Sequence, residues 1–310
     1  MRHPGKKTES RHKAGYIAII GAPNAGKSTL LNRFMGEKLA IVAAKPQTTR
    51  HKVLGVLTEP GRQLVFWDTP GYHLSDKLLN REMGKRSLAA MADSDVVLWL
   101  VDPRHRGREH DCVRDLILNS RKDNLVAVVG KADLVPAGEA EALAAALREE
   151  FGFEEVHRVS AKTGEGLDKL KNALISRLPE SPPLFPGDTL TDQPMRLIAA
   201  EYVREAVFRL TNDELPYSTA VTIDEYVEGN PAGPGPGNKT YIGATIHVEK
   251  ENQKMIMIGS KGAMLSEIGI RARQSIERML GKPVYLKLFV RLSKDWSKKK
   301  NSIRDFGYGD

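Results

Sequence analysis

The sequence predicts an α/β domain built on a mostly parallel sheet, followed by a smaller α+β domain. Three observations carry that reading. From residue 16 to residue 177, short apolar runs alternate with amphipathic stretches of 8–15 residues, the pattern of strands connected by helices on both faces of a sheet. Residues 178–187 then hold four prolines and a glycine, which suits neither a helix nor a central strand. Beyond them comes a helix, two strands, a second helix and a last strand.

Taken in order, strands are expected at 16–21, 53–58, 63–68, 96–102, 125–129 and 156–159, and helices at 28–35, 78–91, 110–119, 137–151 and 166–177. The unbroken apolar run 96–101 is the signature of a parallel strand buried on both faces. After the proline stretch, Leu197, Ile198, Val203, Ala206, Val207 and Leu210 fall on one face of a helix over 195–210. Strands at 218–227 and 241–250 are joined by 228–239, whose glycine–proline pairs predict a floppy loop. The apolar 255–258 fits either strand or helix by periodicity; a helix at 263–280 and a strand at 284–292 follow. The chain therefore divides into a disordered basic lead-in (1–13), a first domain (14–178), a proline-rich linker (179–194), a second domain (195–293) and a basic C-terminal tail (294–310).

Composition narrows the class. The 310 residues are 41% hydrophobic and 28% charged, the mixture of a soluble globular protein. No apolar run approaches the length of a membrane-spanning helix, and no apolar segment before Tyr16 makes a secretory signal. Cys112 is the single cysteine, which excludes an internal disulfide and points to a reducing cytoplasm.

Chemistry enters with Gly21-Ala-Pro-Asn-Ala-Gly-Lys27-Ser28, between an expected strand and an expected helix. Gly21 and Gly26 let the backbone curl so that its N–H groups face a phosphate, and the helix N-terminus adds positive potential. Residues Gly21, Ala22, Pro23, Asn24, Ala25, Gly26, Lys27, Ser28 and Thr29 form this loop; Lys27 is placed to reach phosphate oxygens and Ser28 to ligate Mg²⁺. Asp68-Thr-Pro-Gly71 ends a strand, so that Asp68 is placed to hold a Mg²⁺ water and the Gly71 N–H to sense a γ-phosphate. Gly130-Lys131-Ala-Asp133 follows another strand; the Asp133 carboxylate suits the N1–H and exocyclic amine of guanine, with the Lys131 stem over the ring. Ser160, Ala161 and Lys162 make a further loop after a strand, fit to cover the guanine O6.

In this order and spacing the four stations resemble the Ras-like P-loop GTPases over residues 14–178. The resemblance implies GTP and GDP as ligands, and Mg²⁺ held by Ser28, Asp68 and a switch threonine. That threonine is Thr49 in Lys45-Pro-Gln-Thr-Thr-Arg-His51, with Thr48 beside it as the neighbouring choice. Two departures stand out. Gly130 replaces the motif's asparagine, a loss of about 1–3 kcal/mol that leaves guanine selectivity to Asp133 and weakens affinity. Tyr72 follows Gly71 where Ras has its water-orienting glutamine, so no general base is identified; catalysis rests on Lys27, Asn24 and Thr49 through positioning and charge. Asn24 reads two ways: as a partner of a potassium ion beside the phosphates, as in similar GTPases, or as an asparagine tolerating an awkward backbone angle.

The net charge of +8 is local. Residues 195–250 carry five Lys and Arg against eight Asp and Glu, whereas 251–300 carry twelve against four. That basic segment surrounds Gly259-Ser260-Lys261-Gly262, and Arg271, Arg273, Arg278 and Lys287 are expected to line a groove for a phosphate backbone, with Tyr285, Phe289 and Trp296 as the available aromatics. The arrangement resembles a type II KH domain, whose G-x-x-G loop clamps single-stranded nucleotides; the resemblance turns 255–258 into a short helix. GTPase domain, proline linker and KH domain together resemble the Era family of bacterial GTPases over residues 14–308, as do Glu214-Leu-Pro-Tyr-Ser218 and Ile268-Gly-Ile-Arg-Ala-Arg-Gln274. That implies binding near the 3′ end of 16S rRNA, a role in 30S subunit assembly, no DNA partner, a monomer, and a cytoplasmic location with peripheral contact to the cell membrane. Nucleotide control of the second domain is expected to pass through the linker. Two rivals remain: an RNA-binding module with a degenerate nucleotide domain, and a GTPase acting chiefly on anionic membranes.

Overall fold

The computed structural model describes residues 12–308, apart from 44, 46, 74, 105–106, 121–123, 213 and 230–238. Most of the expected lead-in, Pro46 of the switch segment and most of the loop after residue 227 lie outside the described residues.

The first domain is a six-stranded sheet of β1 (Lys13–Ile20), β2 (Val53–Glu59), β3 (Arg62–Asp68), β4 (Val96–Val101), β5 (Leu125–Val129) and β6 (Val156–Arg158). Its spatial order is β2-β3-β1-β4-β5-β6, parallel except for β2, which runs antiparallel to β3. Strand alternation splits the core. Ile17 and Ile19 face one side with Leu98, Leu100 and Val128, under α1 (Lys27–Met35) and α5 (Leu167–Arg177). Ala18 and Ile20 face the other with Val97, Trp99 and Ala127, under α2 (Leu78–Asp93), α3 (Arg108–Leu118) and α4 (Ala137–Phe151). Every phosphate-site motif falls at the C-terminal edge of this sheet, where open α/β sheets bind ligands.

Residues 179–194 are strapped to the sheet rather than free. The fully buried Gln63 side chain accepts from the Leu184 and Phe185 N–H groups at 2.7 and 2.9 Å and donates to the Phe185 carbonyl at 2.9 Å. Val56 N–H donates to Leu190 O at 2.8 Å, and Thr191 Oγ1 to Leu54 O at 2.6 Å.

The second domain packs α6 (Met195–Leu210) and α8 (Ala263–Leu280) on a three-stranded sheet. β7 (Ala220–Val227) is antiparallel to the central β8 (Thr240–Val248), and β9 (Val284–Leu292) is parallel to it. Residues 251–258 form helix α7 (Glu251–Ile258), as the KH resemblance implied. The basic C-terminal tail is folded back onto the first domain. Trp296, Ile303 and Tyr308 are buried with Leu79 and Met83 of α2, and α9 (Lys300–Asp305) supplies part of that contact. Trp296 is therefore not available for base stacking, contrary to expectation.

The domains also meet through residues 38–51. Ile41 enters the cluster of Ile198, Ala199 and Tyr202, and Lys38 pairs with Glu205. Arg50, 1% exposed, donates to the carbonyls of Pro216, Tyr217 and Thr219 at 3.2, 2.8 and 2.7 Å, and Arg204 donates to Thr48 O. The expected route through the linker is thus joined by a direct contact from the switch segment itself.

Candidate functional site

The loop after β1 is fixed by close backbone approach. A Cβ on Gly21 would lie 2.5 Å from Leu100 O, and one on Gly71 would lie 2.6 Å from Pro23 Cα; only glycine fits either place. Asn24 adopts φ 61° and Gly26 φ 103°, which turns the loop into α1. That helix has no side-chain cap, so its first N–H groups face the loop. Lys27 is buried and donates to Gly21 O at 3.0 Å and Ala22 O at 2.9 Å. Burial pulls its ammonium down to about 8, against the raising effect of Asp68. A phosphate would offer Lys27 stronger acceptors than these carbonyls.

Three oxygens meet beside it. Ser28 Oγ lies 2.7 Å from Thr49 Oγ1 and donates to Asp68 Oδ2 at 2.6 Å; Thr49 Oγ1 is 3.4 Å from the same oxygen. Thr48 turns away to donate to Lys45 O at 2.7 Å, so of the two threonines Thr49 stands with this cluster. Burial raises the Asp68 carboxyl to about 6, opposed by Lys27, Ser28 and Thr49. Its Oδ1 is buried without a hydrogen-bond partner. A hard cation with oxygen ligands satisfies that atom and offsets the burial cost, so the donor set fits Mg²⁺.

The cavity over the loop, about 450 Å³, is lined by Asn24, Lys27, Ser28, Thr49 and Gly71. A second of about 180 Å³ adjoins it, with Gly26, Thr29 and Lys131 lining both, and continues to Gly130, Asp133, Ala161 and Lys162. Ser160 Oγ donates to Asp133 Oδ1 at 2.6 Å, which turns that carboxylate and leaves its other oxygen for a ligand. The two adjoining cavities are polar and cationic at one end and smaller and more apolar at the other, as a nucleotide's phosphates and base require.

Sequence reasoning missed several lining residues. Ile41, Val42, Ala43, Gln47 and Arg104 border the larger cavity. Gln47 lies in the switch segment without having been singled out; the other four belong to no motif, and no periodicity marks them. Gln47 Nε2 lies 3.2 Å from His73 Nε2, a polar pair joining the segment before Thr49 to the one after Gly71.

In the second domain, Gly259 is held at φ 73° against Met264, where a Cβ would lie 2.8 Å from its backbone nitrogen. Ser260–Gly262 makes a single turn with Lys261 exposed at φ 50°, leading into α8. Met255 and Ile256 on α7 are 65% and 54% exposed beside this turn, an apolar floor unusual for a surface helix. The basic residues expected to share one groove are spread instead. Arg271 pairs with Glu267 at 2.7 Å and, with Arg278, lines a cleft of about 730 Å³ against Lys38 and Asn32 of the first domain. Arg273 pairs with Glu277 at 3.3 Å. Leu286, Leu288 and Val290 of β9 pack under the helices, so strand alternation puts Lys287 on the opposite face of the sheet. It does not line a groove with the 259–262 turn.

Comparison with known proteins agrees with this two-part reading. Residues 16–131 match the family described as 50S ribosome-binding GTPase, and residues 214–297 match the KH domain. GTPase Era of Geobacter sp. (strain M21) is 43% identical over 301 residues, covering 97% of this chain and 99% of that protein. The chain belongs to the GTPase Era family. It is a GTPase with a C-terminal KH domain. GTPase Era of Carboxydothermus hydrogenoformans is 40% identical over 96% of the chain. A crystal structure of Era in complex with MgGDPNP and nucleotides 1506–1542 of 16S ribosomal RNA superposes with a TM-score of 0.91 at 40% identity, covering 96% of this chain and all of that one. A variant of Aquifex aeolicus Era bound to GDP·AlF₄⁻ gives 0.89 at 39% identity over the same share. Among the described residues, no helix is long and apolar enough to cross a membrane.

Proposed function

We propose that this member of the Era family binds Mg²⁺·GTP in the slot between the P-loop and Asp133, and the 3′ region of 16S rRNA on its KH domain, to assist 30S subunit maturation. The observation that carries it is the pair of adjoining cavities from Lys27 to Asp133 in a chain that also carries the 259–262 turn. Mg²⁺, when bound, would neutralise charge on the phosphates. Ser28, Thr49 and Asp68 would hold it. Lys27 and the α1 N-terminus stabilise charge on the transferred group, and Gly71 brings its N–H to the γ-phosphate end. Asp133, oriented by Ser160, selects guanine.

Lys27→Ala is expected to abolish GTP binding in a filter or fluorescence titration; retained affinity would refute the P-loop assignment. Gly262→Asp meets no atom within 4 Å of the added Cβ, and its left-handed φ of 81°, strained for a side chain, is one that aspartate adopts more readily than most residues. It is expected to weaken binding of an RNA matching the 16S 3′ end while RNA-free GTP turnover is unchanged; unaltered RNA affinity would remove the turn from the site. Asn24 is accounted for by its left-handed backbone, which asparagine tolerates well. A potassium role is a separate reading, tested by turnover in KCl against NaCl at equal ionic strength; equal rates eliminate it.

A further inference from the structure

Gly130 stands where related GTPases carry an asparagine that ties the base-reading loop to the P-loop. The space for that side chain is already taken. A Cβ at 130 would lie 2.8 Å from Leu100 Cδ1 and 3.4 Å from Leu100 Cγ. Leu100 is 3% exposed, packed with Ala25 and Val128 on one side and bordering the base-end cavity on the other, so an added Cβ drives it toward the space the base would occupy.

Another connection links the same parts. Lys131 adopts a left-handed backbone, φ 51°, and its ammonium donates both to Asn24 O in the P-loop and to Asp102 Oδ2, the latter at 2.8 Å. Asp102 directly follows β4 and is 5% exposed. Arg104 grips it from the far side: backbone N–H to Oδ1 at 3.1 Å, Nε to Oδ1 at 3.2 Å, and a terminal nitrogen to Oδ2 at 3.0 Å. Burial alone would raise the Asp102 carboxyl. The hydrogen bonds from Arg104 and Lys131 outweigh it and hold the group well below the usual carboxylate range, ionised at neutral pH. One ammonium thus joins three segments, with its anionic partner locked in place before any ligand arrives.

We infer that Asp102 is a positioning residue for guanine nucleotides: by anchoring Lys131 it holds the Gly130–Asp133 loop at the spacing from the P-loop that the absent asparagine sets in related GTPases. The inference rests on the guanine-nucleotide reading of the slot. Asp102 touches no ligand; it acts through Lys131, whose flexible stem would otherwise sample many rotamers over the base.

The test is a titration of the full-length protein with fluorescent GDP, with inosine diphosphate as competitor. Inosine lacks the exocyclic amine that Asp133 is placed to accept. Asp102→Asn keeps the side-chain shape and removes the charge. Its GDP Kd is expected to rise at least tenfold, and its preference for GDP over IDP to shrink. A purely structural role would lower the active fraction but leave Kd and that ratio alone. Kd and ratio both within twofold of the parent would overturn the inference. Gly130→Asn alone is expected to weaken GDP binding, because its Cβ meets Leu100; tighter binding would equally overturn it. A parent protein that binds no GDP would instead remove the underlying guanine reading.

Discussion

Arg50 offers the sharpest test of how the two domains hold each other. Its guanidinium reaches Pro216, Tyr217 and Thr219 carbonyls across more than 160 positions of sequence, inside a box formed by Phe208, Trp296 and Tyr308. Arg50→Met keeps much of the stem and deletes the charge. Three buried carbonyls then lose a cationic donor, each worth about 1–3 kcal/mol when left unsatisfied. Part of that is returned because a buried charge no longer has to be kept from water. Three carbonyls near the lower part of that range, less the desolvation returned, leave a net cost of about 3–5 kcal/mol. For folding units of this size the midpoint falls by about 2–4 °C per kcal/mol, so calorimetry is expected to show a drop of about 10 °C. Arg50→Lys is expected to recover less than half, since a point ammonium cannot serve three carbonyls held in a fan. A midpoint within 2 °C of the parent for Arg50→Met, or complete recovery by lysine, would refute the account of this contact as the interdomain clasp.

Other outcomes follow from the same geometry. Gly71→Ala drives a Cβ against the Pro23 backbone, and about 1–3 kcal/mol of strain is expected to appear as a roughly 10- to 100-fold loss of GTP affinity with the circular dichroism unchanged; parental affinity would mean the P-loop yields. Burial lowers His51 to about 4; it lowers His247 to about 4 as well, helped there by Arg291. Unfolding lets each take a proton below its ordinary value of about 6.5, so stability is full above that pH and drains between about 6.5 and 4, by about 2 kcal/mol per histidine at pH 5. The melting midpoint is expected to fall between pH 7.5 and pH 5, and His51→Gln/His247→Gln to flatten that fall; equal slopes would refute the assignment. Gln63→Ala removes three hydrogen bonds to residues 184 and 185 and is expected to speed hydrogen exchange of the Leu184 and Phe185 amides. Unchanged exchange would show that the strap is held by other contacts.

The nucleotide slot was largely legible because its parts are local. A P-loop needs glycines, lysine and serine at fixed spacing between a strand and a helix, and Asp68, Asp133 and Ser160 each follow a strand that announces itself by apolar runs. Thr49 and Thr48 could not be separated, since the choice depends on which hydroxyl meets Ser28 across 21 positions. The interdomain clasp was hidden for the same reason: Arg50 reads as one more basic residue until residues 216–219 are brought to it. Lys287 was misplaced because its charge was counted without the two-residue period of β9. The terminal segment read as a tail because its lysines are dense and its three anchors, Trp296, Ile303 and Tyr308, are sparse. Gly130 read as a plain loss because Leu100, thirty positions away, gives no sign in sequence that it fills the gap.

The strap along β2 also limits where the KH domain can go. Thr191 is bonded to Leu54 and α6 begins at Met195, which leaves only residues 192–194, with the Gln193 N–H bonded back to Thr191 Oγ1, between two anchored points. Fully extended, the stretch from 191 to 195 spans about 14 Å. A domain on so short a leash cannot drift away when the Arg50 clasp opens; it can only pivot, staying at an effective concentration in the millimolar range relative to its docking face. Opening has to break the Arg50 bonds and the apolar contacts around Ile41 and Trp296, whereas closing needs no search. The strap thus sets the range of any interdomain movement, and the buried contacts set its cost.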